Sequence, residues 1–341
     1  MTGERERRRP TLADVARMAE VDPSLVSRVL RNDMRGFASA ETRDRIHRAA
    51  SEIGYRANAS ARGLRSNRTM ALGLLLPGFS SPVYSAIAHG VEMRANQFGY
   101  GLVLGTHAAG DPHETISEML MRGSVDALMV SSGHIEDDAL RRLVNQMPQS
   151  LVLVNRQVRG VAASVVLRDA DAAAVAVRHL VDLGHRRLCA ILGPRNLDTM
   201  VRRRRGFVSE CEKLGVGATT IEMPERDRAA GFDATMRVLE RRLQPTAIVA
   251  ATFPMAVGAL AALHQRDMAV PDELSVVSLH DDDLANFLVP PLTTVWLPTE
   301  RLGAEAVDLA LALIEGGRPR RVTVPDEPHI VRRHSTAAPA A

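Results

Sequence analysis

The chain has 341 residues, 45% of them hydrophobic, enough for a large buried core spread over more than one domain. Two cysteines without a C-x-x-C pair argue against disulfides and structural zinc; an arginine-rich start with no run of about 18 apolar residues argues against a secretory signal and a membrane span, so the expected location is cytoplasmic. The net charge of +3 hides an asymmetry: residues 1–68 carry 15 basic against 9 acidic residues, and the rest carry 28 against 31, which places the positive surplus where it would favour a polyanion.

In chain order, residues 1–9 read as a disordered basic arm containing Arg5 and Arg7 to Arg9. Thr11 followed by Asp14 has the spacing of a helix start, with Thr11 accepting from orphan amides and Asp14 adding a carboxylate to the first turn. The helix is expected from about Leu12 to Ala19. Asp22 then offers a cap oxygen and Pro23 suits the first helical position, so a second helix runs to about Leu30 after a turn of only about three residues. Val15, Ala19, Val21, Val26, Val29 and Leu30 supply a small core, completed by Ile46, Ala49, Ala50 and Ile53 on a third helix capped by Ser39. This is a helix-turn-helix pattern, in which the start of the second helix faces base edges in the major groove. Pro23, Ser24, Ser27 and Arg28 are the exposed candidates there. Arg28 is the strongest, because a guanidinium can grip O6 and N7 of guanine with two hydrogen bonds. Asp22 and the helix-start amides cap the helix or approach phosphate.

From residue 70 onward apolar runs alternate with helix-length segments, the pattern of parallel sheets. Four buried strands are expected at 71–76, 101–104, 127–130 and 150–154. After about residue 168 the pattern restarts, with strands at 187–192, 219–221, 247–250 and 274–279. Two similar doubly wound lobes therefore follow the helical head, and ligands of such sheets lie off the carboxyl ends of strands, here between the lobes. Cys189 sits in an apolar strand and reads as core. No P-loop, G-x-S-x-G or H-E-x-x-H motif occurs, and the Gly99-Tyr-Gly101 pair precedes a strand instead of following one, so no catalytic residue, cofactor or enzyme is expected. The His280-Asp-Asp-Asp283 run invites a metal, but consecutive loop residues seldom converge on one ion, and none is expected.

An ordered series of motifs spans nearly the whole length: Thr11, Val26-Ser-Arg-Val-Leu30, Glu41-Thr-Arg43, Gly54-Tyr55, Ala61-Arg-Gly-Leu64, Leu183-Gly-His185, Pro290-Pro-Leu-Thr-Thr-Val295 and Val331-Arg332. In this series the chain resembles the LacI/GalR family of transcriptional regulators. The resemblance implies an all-α helix-turn-helix head on an α/β core of two doubly wound parallel-sheet subdomains of the type I periplasmic-binding-protein kind. It divides the chain into a DNA-binding domain at 10–57, a hinge helix and linker at 58–68, and a core at 69–341. The chain is expected to cross back near residues 296–300, so that residues 302–314 pack on the first lobe and a late strand near Ile330 joins the second. One lobe then comprises about 69–167 and 299–327, the other about 168–298 and 328–341. Asn58 to about Arg65 would form the hinge on DNA, with Leu64 wedged into the minor groove to unstack a base step and bend the duplex. The DNA-contacting set is thus Thr11, Pro23, Ser24, Ser27, Arg28, Asn58, Arg62 and Leu64.

The same resemblance assigns partners and a cleft. A homodimer is expected on pseudo-palindromic double-stranded operator DNA, since two-fold symmetry matches two half-sites; residues 335–341 hold no leucine heptad that would build a coiled-coil tetramer. A small-molecule effector, whether a sugar, a sugar derivative or another metabolite, would bind between the lobes and, by linkage, alter DNA affinity as a repressor requires. Arg203 matches a ligand-gripping arginine and Asn155 a polar contact, while Ser81, Tyr84 and Ser131 sit near strand ends. Two departures mark the pocket as rebuilt: Thr252-Phe253 stands where sugar-responsive relatives carry Asn-Asp, and His280 replaces the first Asp of a Gly-aromatic-Asp-Asp motif. A neutral or weakly charged His tolerates an anionic ligand better than Asp does, so a modified or acidic sugar or a non-sugar metabolite gains weight. The effector set is Tyr84, Ser131, Asn155, Arg203, Thr252, Phe253 and His280.

Overall fold

Helix caps and a handful of apolar side chains define the amino-terminal unit. In this computed structural model, which describes residues 10–30, 38–55, 68–78, 81–106, 124–131, 135–146, 151–241 and 243–340, three helices occupy Leu12–Met18 (α1), Pro23–Val29 (α2) and Ala40–Glu52 (α3). At the head of α1 the Asp14 carboxylate accepts from the Thr11 amide (2.9 Å) and hydroxyl (2.6 Å). The two residues thus close a capping box over the start of α1, with the threonine hydroxyl hydrogen directed to the Asp14 carboxylate. These bonds, the side-chain one first, hold the Asp14 carboxyl below the usual carboxylate range. Asp22 caps α2 through the Ser24 amide (2.7 Å), and Ser39 caps α3 through the Thr42 amide (3.2 Å). Val15, Ala16, Ala19, Val26, Val29, Ile46, Ala49 and Ala50 are buried together, with Val21, Leu30 and Ile53 packed at their margin. Arg45 Nε donates to the Ala19 carbonyl (2.9 Å) and fastens α3 to the turn between the first two helices.

Residues 70–341 form a second unit containing two six-stranded sheets. The first holds β1 (Ala71–Leu76), β2 (Gly101–Thr106), β3 (Ala127–Val130), β4 (Leu151–Val154), β5 (Ser164–Val166) and β11 (Arg321–Thr323), in the order β11-β5-β4-β3-β1-β2, all parallel. The second holds β6 (Arg187–Leu192), β7 (Gly217–Glu222), β8 (Ala247–Ala250), β9 (Ser275–Leu279), β10 (Thr293–Trp296) and β12 (His329–Val331), in the order β12-β10-β9-β8-β6-β7. Only β12 runs antiparallel to its neighbour. Interior strands are buried on both faces, which is why they read as unbroken apolar runs; β2 and β7 at the edges are largely exposed. Strands β5, β10 and β11 were not expected. They are only three or four residues long, and Ser164, Thr293, Thr294 and Arg321 interrupt any apolar run.

After β10 the chain returns to the first sheet's lobe, which already holds the helices Pro82–Gln97 (α4) and Asp137–Gln146 (α5), with the helix Thr299–Ile314, which packs on α4. A bidentate pair between Arg94 and Asp308 (2.8 and 3.1 Å) pins the two together. A close helix approach beside the cleft lies between Asp169–Asp182 (α6) and Asp198–Leu214 (α7). It depends on Gly206, where a Cβ would stand 2.1 Å from the Ala170 carbonyl oxygen. Cys189 and Cys211 are free and buried, and burial pushes their thiols up to about 12 and about 11. No helix among the described residues is long and apolar enough to cross a membrane. Gly206→Ala should force α6 and α7 apart and cost about 1–3 kcal/mol in urea unfolding; unchanged stability would show that the helices do not need this contact.

Candidate nucleic-acid interface and interlobe cleft

On the helical unit, the Asp22 cap and Pro23 start α2 with its amides facing outward, while Val26 and Val29 turn the opposite side into the core. Pro23, Ser24 and Arg28 are exposed and Ser27 is half-buried, so the four share the outer side of the helix. Arg28 is exposed, and among the described residues no ion pair within salt-bridge distance engages it, although its charge reaches the Asp22 carboxylate. Thr11 lies half-buried at the cap of α1, with its hydroxyl engaged by Asp14. Asn58, Arg62 and Leu64 lie outside the described residues, as does the arm at 1–9.

In the two-lobed unit, the strands deliver polar residues to one place. Asn155 follows β4, Ser131 follows β3, Ser81 and Tyr84 follow β1, Thr252 follows β8 and His280 follows β9. All six line one cavity with Arg203, Thr199, Met200, Leu197, Val83 and Arg226. This is the carboxyl-end crevice of doubly wound sheets, built here twice and face to face. Asn155 and His280 both take left-handed backbone conformations, φ 56° and 70°, which turn their side chains sharply off the strand ends. Phe253 does not join them. As the first residue of the helix Phe253–Gln265 it is buried against a neighbouring cavity of about 440 Å³ with Pro82, Pro254 and Leu284, because helix geometry points it away from the Thr252 side.

Beneath the cavity lies a buried ionic cluster. Asp169, at the amino end of α6 where the dipole favours negative charge, is fully buried. Arg203 Nε donates to its Oδ1 (2.8 Å), and Arg202 Nη1 pairs with its Oδ2 (2.5 Å). Burial alone would push the Asp169 carboxyl up; the Arg203 and Arg202 guanidiniums outweigh it and hold the group below the usual range. Arg203, 3% exposed, also donates to the Ala251 carbonyl (2.5 Å) and to His280 Nε2 (2.6 Å). Its five donors are thus mostly committed within the protein. It acts chiefly on His280, a role that family resemblance alone did not indicate.

A guanidinium can only donate, so His280 Nε2 must accept and the neutral ring must carry its proton on Nδ1. Nδ1 is buried without a partner. Burial first, then the Arg203 charge, pushes the His280 pKa down to about 3, with Asp169 opposing only in part. Thr252 is similarly committed: its hydroxyl caps Met255 N (3.3 Å) and donates to the Arg226 carbonyl (3.0 Å), anchoring the loop that carries Arg226. Asp281 and Asp282 point elsewhere, Asp281 to Thr294 and Arg333 and Asp282 to the cap at Leu284 N. Sequence reading missed Asp169 and Arg226. The first looks like an ordinary helix-start acid, and its partner lies 34 positions away; the second is lost within the polar run Pro224 to Arg228.

Because the folded His280 binds a proton only near pH 3, the unfolded chain protonates first; its contribution is complete above about pH 6.5 and is lost as pH falls toward 3. The stability curve should therefore lose up to about 1.4 kcal/mol per pH unit across that window relative to His280→Asn. Parallel curves for the two proteins would show that His280 stays protonatable. Arg203→Met leaves Asp169 with Arg202 alone and should cost about 3–5 kcal/mol in denaturant unfolding at neutral pH; a loss under about 1 kcal/mol would mean the cluster is not a stabilising unit.

Comparisons with known proteins agree with this geometry. The model of bacterial regulatory proteins of the lacI family matches residues 11–58, and that of a periplasmic binding protein-like domain matches residues 177–336. Similar proteins include the HTH-type transcriptional regulator GalS of Salmonella typhimurium, 33% identical over 96% of each chain, and GalR of Escherichia coli, 32% identical over 97% of this chain and 96% of that one. Among solved structures, a LacI family transcriptional regulator from Mycobacterium smegmatis shares 28% identity with a TM-score of 0.75 over 79% of this chain and 100% of that one. The lac repressor dimer bound to operator and the anti-inducer ONPF has the same fold, with a TM-score of 0.80 at 24% identity over 97% and 100%.

Proposed function

The chain belongs to the lacI family of bacterial regulatory proteins and is a DNA-binding transcriptional regulator, and we propose that it works as a homodimeric, cytoplasmic repressor whose operator affinity is set by a metabolite held between the core lobes, without catalysis. The observation that carries this reading is the exposed start of α2, where an Asp22 cap and Pro23 fix a helix end that presents Ser24, Ser27 and Arg28. Arg28 reads a guanine edge, while Pro23 and Ser24 approach the groove wall.

The dimer is supported by the lac repressor assembly named above and by Phe287 (78% exposed) and Val289 (93% exposed), large apolar side chains that an isolated subunit seldom leaves in water. The effector acts through the cleft: Tyr84 and Ser131 belong to one lobe, and Arg203, Thr252 and His280 to the other, so a ligand touching both favours one lobe arrangement. DNA affinity then changes by the ligand's differential affinity for the two arrangements.

Selection of bound sites from random duplex DNA, followed by a metabolite screen on the winning site, tests the whole reading. A short two-fold-related site whose affinity responds to a small molecule is expected; no sequence preference at moderate ionic strength would contradict it. Arg28→Ala should relax preference at one base position per half-site and weaken binding by about 1–3 kcal/mol, and an unchanged selected site would remove the role given to Arg28.

A further inference from the structure

The cleft is chemically lopsided. Of the twelve residues lining it none is acidic, although two are arginines. Arg203 is matched by Asp169 directly beneath it. Arg226 is matched by nothing comparable. Its Nη2 donates to the neutral Tyr84 hydroxyl (2.7 Å), its Nη1 is buried without a partner, and no ion pair engages it among the described residues. The flanking acids do not neutralise it: Glu225 and Asp227 are exposed and border a neighbouring cavity, and Asp227 caps the helix Arg228–Glu240 through Ala230 N (2.8 Å). A cation whose donor is sequestered from water without an acceptor is costly unless a partner supplies one.

The other unpartnered groups point the same way. His280 contributes an Nδ1–H donor because Arg203 occupies its other nitrogen. Thr252 has its hydroxyl hydrogen committed to the Arg226 carbonyl, so no amide and carboxylate pair remains on that side to bracket adjacent hydroxyls. Among the described residues, the fully buried side-chain acceptor left without a partner in the wall is Asn155 Oδ1. We infer that the effector of this cleft is a small oxyanion, a carboxylate or phosphate monoester carrying one further hydrogen-bond donor, with its anionic head on Arg226 and His280 Nδ1–H and its donor on Asn155. This rests on the effector reading above and specifies its chemistry.

Space and connectivity fit a ligand that works on the lobes. The cleft volume is about 40 Å³, and a cavity of about 210 Å³ borders it, sharing Ser81, Tyr84, Arg226 and Thr252 and adding Arg228 with the exposed Glu225 and Asp227 at its rim. The Arg226–Tyr84 hydrogen bond joins the lobes at that border. An anion seated on the free Nη1 and on His280, with its donor on Asn155 of the other lobe, adds a second link across the cleft beside this bond and so favours one lobe arrangement.

The test uses the purified full chain at fixed ionic strength, titrated with inorganic phosphate, with malonate and with neutral glycerol, and read by thermal shift and by the fluorescence of the single tryptophan, Trp296, which ends β10 before the return to the first lobe. Saturable binding of phosphate or malonate but not glycerol is expected, and the tighter of the two identifies the head group. Arg226→Met should weaken that binding at least about tenfold, and Arg226→Lys should retain part of it. Equal anion binding by wild type and Arg226→Met, or no saturable anion binding, would overturn the inference. If a neutral metabolite then shifts operator affinity, the regulatory reading survives its loss; if anions bind at Arg226 and no metabolite shifts operator affinity, the site stands and the regulatory reading falls.

Discussion

The cleft depends on one buried carboxylate. Asp169 has no access to water, and its charge persists because Arg202 and Arg203 approach it from adjacent positions of α7 while the amino end of its own helix favours it. Remove it and Arg203 has no reason to hold its fork against the cleft floor. With it in place, Arg203 spends its donors on Asp169, Ala251 and His280, and so dictates which nitrogen of His280 carries the proton. The polarity that a ligand meets is therefore set two residues back from the surface it touches. The small residue Gly206, one turn along the same helix, is what lets α7 come close enough for this to happen.

The same cluster sits where the lobes join. Arg202 Nη1 donates to the Leu167 carbonyl in the crossing segment (2.8 Å), and Asp198 accepts from both Arg202 and the Gln157 amide (2.9 Å). Ionic contacts at the crossing and, among the described residues, one cation-to-hydroxyl hydrogen bond from Arg226 to Tyr84 at the mouth make an uneven pair of fastenings. Motion is easiest at the mouth, where the weaker contact lies, and a ligand can exploit that inequality without unfolding anything. The return helix at 299–314, pinned to the first lobe through Arg94 and Asp308, ensures that the crossing segments move with their own lobes.

Much of this was legible from the chain, for physical reasons that differ by element. The three head helices announce themselves through caps and periodicity, and buried parallel strands such as 127–130 and 247–250 through unbroken apolar runs. Strands β5 and β11 are three residues long and their pairing is fixed by the rest of the sheet, so no local signal marks them. Within the cleft, strand ends predict position well, which is why Tyr84, Ser131, Asn155, Thr252 and His280 converge, with Arg203 reaching them from α7. They predict orientation poorly. Phe253, adjacent to Thr252, faces another cavity, and Thr252 serves as a helix cap. Asp169 and Arg226 escaped notice because their importance lies in a partner, present or absent, far away in sequence.

The most direct measurement is the tautomer and charge of His280, read from nitrogen-15 chemical shifts with His280→Asn as the assignment control. A neutral ring protonated on Nδ1 at pH 7, and still neutral at pH 5, is the result this arrangement requires. A proton on Nε2, or an imidazolium at pH 6, would mean that Arg203 does not hold the ring and that the buried carboxylate does not set the chemistry of the cleft.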